Sequence, residues 1–274
     1  MDKPTVSVLM PVYNAAPFLK DAIESVLTQS FEKIEFIIID DCSTDGSYDV
    51  LEEYGRRDPR VRICRNSRNM GIVYSLNKGI GLCRGDYIAR MDADDISLKD
   101  RISLQVAALE ADREIAALGT ALRYIDSSGK DLGVTRRCFL ESPYLSRTPL
   151  LHPTVMLRRE LLDRYGLRYL ERYRYAEDYY LWLQLARVGK LSAIDSVLLQ
   201  YRITPTATRF KELKGVIRAT LRAKRDAVFV LKMKPGLKDM LVYLAESALL
   251  LLPSRFVIFV YLRLLFAHKT KGCL

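Results

Sequence analysis

The chain has 274 residues, 49% of them hydrophobic and 28% charged, enough to bury a large α/β core with an appendage; a disordered, collagen-like or disulfide-stapled protein is excluded. Five cysteines, at 42, 64, 83, 138 and 273, show no C-x-x-C spacing, so neither a zinc site nor a disulfide framework is expected and a reducing cytoplasm fits better. The net charge of +10 lies wholly after residue 205, where fourteen Lys and Arg face four acids.

The opening, Val6 to Met10, reads as a strand, followed by Pro11-Val-Tyr-Asn14 and an amphipathic helix from about Pro17 to Thr28. Phe36 to Asp40 is a short isoleucine-rich run, the mark of a buried parallel strand. The cycle repeats with a helix start at Asp45-Gly46-Ser47, a strand at Val61 to Arg65, a helix at Ile72 to Cys83 and a strand at Tyr87 to Met91. Strands alternating with helices of this length imply right-handed crossovers and a mostly parallel sheet. A helix from about Leu98 to Glu110 and a strand near Ile115 to Leu122 come next, and the stretch to Leu151 has no regular pattern. A strand at Thr154 to Leu157, helices at Arg159 to Tyr165 and Asp178 to Val188, and a last strand at Val197 to Tyr201 complete the pass.

From about Phe210 the chain becomes a basic helix, and from Leu237 to Phe266 it is strongly apolar. The uninterrupted runs, Ser247 to Ser254 and Phe256 to Leu262, are far shorter than the roughly 20 residues that span a bilayer. Interfacial helices drawn to anionic lipid by the preceding Lys and Arg are expected; a cap on the domain or a homodimer interface is the alternative. No nucleic-acid recognition motif accompanies the basic helix. Met1 to Pro4 lacks the features of a secretory signal, so a cytoplasmic location, peripheral to the inner face of the membrane, is expected.

In an open parallel sheet, ligands bind beyond the carboxyl ends of the strands. Two strands end there in acids, at Asp40-Asp41 and at Asp92-Ala93-Asp94-Asp95. Three carboxylates within four residues repel one another, and a Mg²⁺ or Mn²⁺ ion bridging them to a diphosphate relieves that repulsion. Capping of the following helix by Asp94, Asp95 or Ser97 competes with this reading. Asp40 and Asp41 suit either the imide N–H of a uracil or thymine base or a plain turn. Arg68 and Arg90 suit phosphate or sugar, and equally an ordinary surface. Trp182 reads as core, while the tyrosines from 165 to 180 suit stacking on sugar faces.

Ser7-Val-Leu-Met-Pro-Val-Tyr-Asn14, Ile38-Ile-Asp-Asp-Cys-Ser-Thr-Asp-Gly-Ser47, Arg68-Asn-Met-Gly71, Gly85 to Asp95 and Ala176-Glu-Asp178 together resemble the ordered motifs of family 2 glycosyltransferases with the GT-A fold. The resemblance covers roughly residues 4 to 205. It implies a Rossmann-like, mostly parallel sheet flanked by helices, with residues 1–95 as a nucleotide-binding half and 96–205 as an acceptor-binding half; composition and charge make 206–274 a basic and apolar, helical, amphipathic extension expected to associate with a membrane. By the same resemblance Pro11 and Tyr13 line the base pocket, Asp40 binds the base, and Arg68, Asp92 and Ala93 meet the nucleotide sugar. Asp94, Asp92 and Asp95 become the metal acids. Asp178, helped by Glu177, becomes the catalytic base, although both also open a helix, where acids favour the dipole. His152, in His-Pro-Thr, becomes a diphosphate or acceptor contact.

The implied activity is inverting, metal-dependent transfer of one sugar from a UDP- or dTDP-sugar to an acceptor hydroxyl, on a polyprenyl-diphosphate-linked glycan of a bacterial surface polysaccharide. No Gln-x-x-Arg-Trp follows Asp178, which disfavours a processive synthase. A sugar nucleotidyltransferase would carry a glycine- and arginine-rich loop in place of Pro11-Val-Tyr-Asn14. A non-catalytic membrane-bound scaffold sharing the fold is the remaining alternative, and oligomeric state is left open.

Overall fold

The computed structural model describes residues 3–135, 140, 144–203, 212–253 and 257. Its first half alternates strand and helix as expected: β1 (Val6–Val12), α1 (Ala16–Leu27), β2 (Ile34–Asp40), α2 (Ser47–Arg57), β3 (Val61–Arg65), α3 (Ile72–Leu82) and β4 (Tyr87–Arg90). There follow β5 (Ile96–Ser97), α4 (Arg101–Ala111), β6 (Ile115–Ile125) and β7 (Asp131–Thr135). A 3-10 turn at His152–Thr154 leads into β8 (Met156–Arg158), α5 (Arg159–Arg164), α6 (Glu177–Leu185) and β9 (Lys190–Arg202), and α7 (Leu213–Phe229) and α8 (Leu237–Leu249) end the described chain.

The strands form a single sheet in the order β3-β2-β1-β4-β8-β6-β9-β5, with β7 paired to β6. β3, β2, β1 and β4 are parallel, but β8 runs antiparallel to both β4 and β6. The expected mostly parallel sheet is therefore a mixed one beyond β4. Parallel neighbours require a crossover; β8 is instead entered from the His152–Thr154 turn at the end where β4 finishes, so it runs the other way. β7, in the stretch without pattern, forms a hairpin with β6, and β9 begins seven residues earlier than Val197. Register shifts between β6 and β9 hide the alternation in that segment.

The strands are buried on both faces. Val8, Met10, Phe36 and Ile38 pack with Leu19, Ile23 and Val26 of α1 and Ile102 and Val106 of α4. Leu9, Ile37 and Ile39 point the opposite way, toward Leu76 and Ile80 of α3 and Leu181 and Trp182 of α6. The period of two that splits these sets is that of a pleated strand. Gly79 permits the close approach of α3, since a Cβ there would lie 2.1 Å from Leu9 Cδ1.

The basic segment does not stand apart from this core. α7 presents Ala219, Ala223 and Ala227, one helical face of small side chains, to Tyr179, Tyr180 and Leu183 of α6. The expected boundary at 205/206 and all but Val257 of the run from Phe256 to Leu262 lie outside the described residues. Among the described residues, no helix is long and apolar enough to cross a membrane.

Candidate active site

Two clefts open along the carboxyl ends of the parallel strands, and they meet at Tyr175, Glu177 and Val216. The first, of about 520 Å³, is lined by Pro11, Tyr13, Asp41, Asn69, Gly71 and Arg174 as well as the shared residues. The second, also about 520 Å³, is lined by Arg90, Asp92, Asp94, Tyr124, His152, Asp178, Tyr201 and Arg202. Pro11 belongs to β1, in register with Ile39, and the strand-end loops supply the rest.

In the first cleft the carboxylates already have partners. Asp41 Oδ1 accepts from Asn66 Nδ2 at 2.7 Å and Met70 N–H at 2.8 Å, and its Oδ2 accepts from Gly71 N–H at 2.8 Å. Asp40 is fully buried; Arg65 Nε lies 3.1 Å from its Oδ2 and the Ser43 N–H is 3.3 Å from both oxygens. Of the two acids, Asp41 and not Asp40 lines the cleft. Tyr13 is half exposed at the mouth. Arg68 lines neither cleft and places its Nε 3.4 Å from Met70 Sδ.

The second cleft gathers acids in a less satisfied state. Carboxylate oxygens of Asp92, Asp94 and Asp95 lie within 4.8 Å of one another, with Ala93 buried between them. Asp92 pairs with the buried Arg90, whose Nε has no hydrogen-bond partner. Asp95 is fully buried; its Oδ1 accepts from the Arg202 N–H at 2.9 Å, and its Oδ2 has no partner. Burial, then the charge of Asp92, pushes the Asp94 carboxyl up to about 6. The same causes, with Asp94 added, raise Asp95 well above the carboxylate range. An all-oxygen donor set with one buried orphan oxygen fits a hard divalent cation.

Facing these acids, Glu177 and Asp178 open α6. Burial and the neighbouring Asp178 charge push Glu177 up to about 7, and its Oε2 is buried without a partner. Asp178 is also raised by burial, against hydrogen bonding from the Tyr179 N–H and the charge of Arg90. His152 Nε2 is 3.0 Å from Tyr169 Oη, and its ring meets Trp182 edge-on at 5.8 Å. Burial, then Arg90, holds the imidazole well below its ordinary range, so the ring is neutral at pH 7. Trp182 is core, as expected. Of the tyrosines from 165 to 180, Tyr175 lines both clefts, while Tyr173 and Tyr180 stack on each other at 3.8 Å away from them.

Three supports went unnoticed at the level of sequence. Arg202 closes β9 and donates from Nε to the Asp94 carbonyl at 2.9 Å and from Nη1 to the Asp126 carbonyl at 3.1 Å, fixing the acidic loop from behind. Arg101, buried in α4, donates to the Arg90 carbonyl at 2.7 Å. Val216 brings α7 into the cleft, and its neighbour Gly215 leaves room for Tyr175, whose ring would lie 3.3 Å from a Cβ there. Arginines at such positions carry no motif; Tyr175 alone had a signal, its place just before Ala176-Glu177-Asp178.

A mixed sheet with two clefts and an acidic crest is the GT-A architecture. Structures of similar fold include a mannosyltransferase from Pyrobaculum calidifontis in complex with GDP-Man and Mn²⁺ (TM-score 0.67, 20% identity, 99% of this chain and 77% of that one). S. aureus TarS 1-349 in complex with UDP-GlcNAc is another (TM-score 0.66, 17% identity, 98% and 74%). Residues 7–166 match the model of glycosyl transferase family 2, and the chain belongs to that family. An uncharacterized glycosyltransferase of Haemophilus influenzae is 34% identical over 215 residues, 73% of this chain and 66% of that protein. A putative teichuronic acid biosynthesis glycosyltransferase, TuaG of Bacillus subtilis, is 32% identical over 209 residues, 73% and 80%.

Proposed function

We propose that this glycosyltransferase moves one sugar, with inversion, from a UDP- or dTDP-sugar to a hydroxyl of a lipid-linked glycan in bacterial surface-polysaccharide synthesis. The observation that carries the reading is the opposition, across one cleft, of the Asp92-Asp94-Asp95 cluster and the Glu177-Asp178 pair. The first cleft, lined by Pro11, Tyr13 and Asp41, adjoins it and has room for a nucleoside. The name of TuaG fits the product class, the UDP-GlcNAc bound by one structural neighbour fits a UDP-sugar donor, and the GDP-Man bound by the other fits only the wider class of nucleotide sugars.

Asp94, with Asp92 and Asp95, would hold Mn²⁺ or Mg²⁺. Such an ion supplies neutralisation of the charge that builds on the departing diphosphate. The chain's own groups do the rest. The base sits by Pro11 and Tyr13, with Asp40 behind the crest holding the loop through the Ser43 N–H. Arg68, beside Met70, and Ala93, buried between the acids, line neither cleft and act on the nucleotide sugar only through the loops they belong to. Asp178 takes the acceptor hydroxyl's proton as the oxygen attacks the anomeric carbon and the bond from that carbon to the diphosphate breaks. Glu177 beside it favours one shared proton in the pair, and neutral His152 can accept or donate to diphosphate or acceptor.

A thermal-shift screen of UDP-, dTDP- and GDP-sugars with and without Mn²⁺ tests the donor and metal together, since a ligand that binds only the folded state raises its melting temperature. A UDP- or dTDP-sugar that stabilises the chain only with Mn²⁺ is expected. A metal-independent shift, or one confined to GDP-sugars, overturns the assignment.

A further inference from the structure

α8 is built inside out. Leu237, Met240, Leu241 and Leu244 recur at the spacing of one helical face, and that face is turned to solvent, each residue being 49% to 71% exposed. Phe229 and Val230, at the end of α7, extend the same apolar surface. The two acids of α8 point inward, while Lys238 is exposed beside the apolar face. Asp239 is buried, accepting from Ser146 Oγ and from the Gly236 N–H at 2.8 Å, and Glu246 pairs with Lys224 Nζ at 2.6 Å. Those contacts pin the polar face to the domain and leave the apolar face outward, the reverse of a helix that packs on a core.

The surroundings of this face are basic. Lys232 and Lys234 are exposed on the loop between α7 and α8, in the segment that holds the whole net charge of +10. We propose that the outward face of α8, with Phe229 and Val230, seats on a bilayer containing anionic lipid, its leucines at the acyl boundary and the two lysines among the headgroups. Protein interfaces draw their binding energy from Trp, Tyr and Arg set in complementary pockets; the exposed stripe of α8 consists of Leu and Met, with Phe229 the one aromatic beside it. With 13 residues, α8 is roughly 20 Å long and lies along a bilayer whose core is about 30 Å thick. α7 carries Val216 into the cleft at one end and Phe229 to the apolar surface at the other. Because α7 is packed on α6, membrane and cleft are held at a fixed spacing.

The proposal rests on α7 and α8 and not on the transfer reaction, so transfer to a soluble acceptor is measured alongside. The full chain is sedimented with vesicles of phosphatidylcholine, with and without phosphatidylglycerol. Binding to the anionic vesicles, weakened by salt, is expected. Leu241→Gln with Leu244→Gln lowers the partition about a hundredfold, and Lys232→Glu with Lys234→Glu lowers it about tenfold or more, both with melting temperature and soluble transfer unchanged. Should the leucine variant fail to fold, the lysine variant and the salt titration still decide. Equal binding by the variants, or no binding by the wild-type chain, overturns the proposal. A wild-type dimer that the leucine variant abolishes, without vesicle binding, gives the face to a second copy instead.

Discussion

The two clefts differ in how their buried carboxylates are satisfied. Asp41 accepts three hydrogen bonds from Asn66, Met70 and Gly71, so its role is to hold the loop that walls the first cleft. Across the shared boundary at Tyr175 and Glu177, Asp95 Oδ2, Glu177 Oε2 and Arg90 Nε are buried and unanswered. Buried polar atoms are nearly always paired, and leaving one unpaired costs about 1–3 kcal/mol. Apart from the Glu177 that it shares, the first cleft is thus finished by folding. The other keeps groups whose partners arrive with substrate.

The largest effect expected from breaking this contrast is at Asp178. Asp178→Asn keeps the shape of the side chain and removes its ability to take a proton, so transfer should fall about 10² to 10⁴-fold while the donor still raises the melting temperature. Near-wild-type turnover would place the base elsewhere. A smaller effect separates Asp41 from Asp95 by sign. Asp41→Asn turns an amide N–H toward N–H donors and should lower stability by about 1–3 kcal/mol in urea unfolding. Asp95→Asn retains an oxygen for the Arg202 N–H, removes an acid whose charged form burial and its acidic neighbours disfavour, and should raise the melting temperature while impairing transfer. If both variants shift stability the same way, the two clefts are not different in kind.

How much of this was legible before the fold was known also divides between the clefts. The isoleucine run of β2 and the acids after β2 and β4 announce themselves, because a parallel strand buried on both faces leaves polar residues only at its end. Pro11, Tyr13, Asp92, Asp94, Glu177, Asp178 and His152 all fall on the two clefts. The sequence offers no means of ranking Asp40 against Asp41; only the loop from Asn66 to Gly71, folded back across 25 to 30 residues, decides which is turned to the cleft. Arg202 and Val216 act through contacts distant along the chain and Arg101 through a carbonyl 11 residues back, and none of them leaves a motif. α8 was legible in part, as one of the expected interfacial helices. Its apolar spacing resembles that of a core-facing helix, and the outward orientation depends on Ser146 and Lys224, neither of which has a motif.

The smallest effect is a difference in pH dependence. Near the first cleft, Asp45 is pushed up by burial, but hydrogen bonds from Ser47 and from the Ala16 N–H more than reverse this and lower its carboxyl below 3.8. A lowered acid contributes stability that is present above its unfolded pKa and is lost as pH falls through the folded one. Glu177 has the opposite sign. Its folded carboxyl titrates near 7 against 4.5 when unfolded, so from about pH 4.5 to 7 the native state holds a proton that the unfolded chain has released. Stability therefore declines as pH rises through that window, by no more than about 1.4 kcal/mol per pH unit, and is level above it. Glu177→Gln should make this decline shallower, the share of Asp94 and Asp95 remaining, and leave the loss below pH 3.8 intact, as read by urea unfolding from pH 3 to 8. A decline as steep in Glu177→Gln as in the wild-type chain would belong wholly to Asp178 and the acids at the end of β4, and Glu177 would then hold no proton of its own near neutrality.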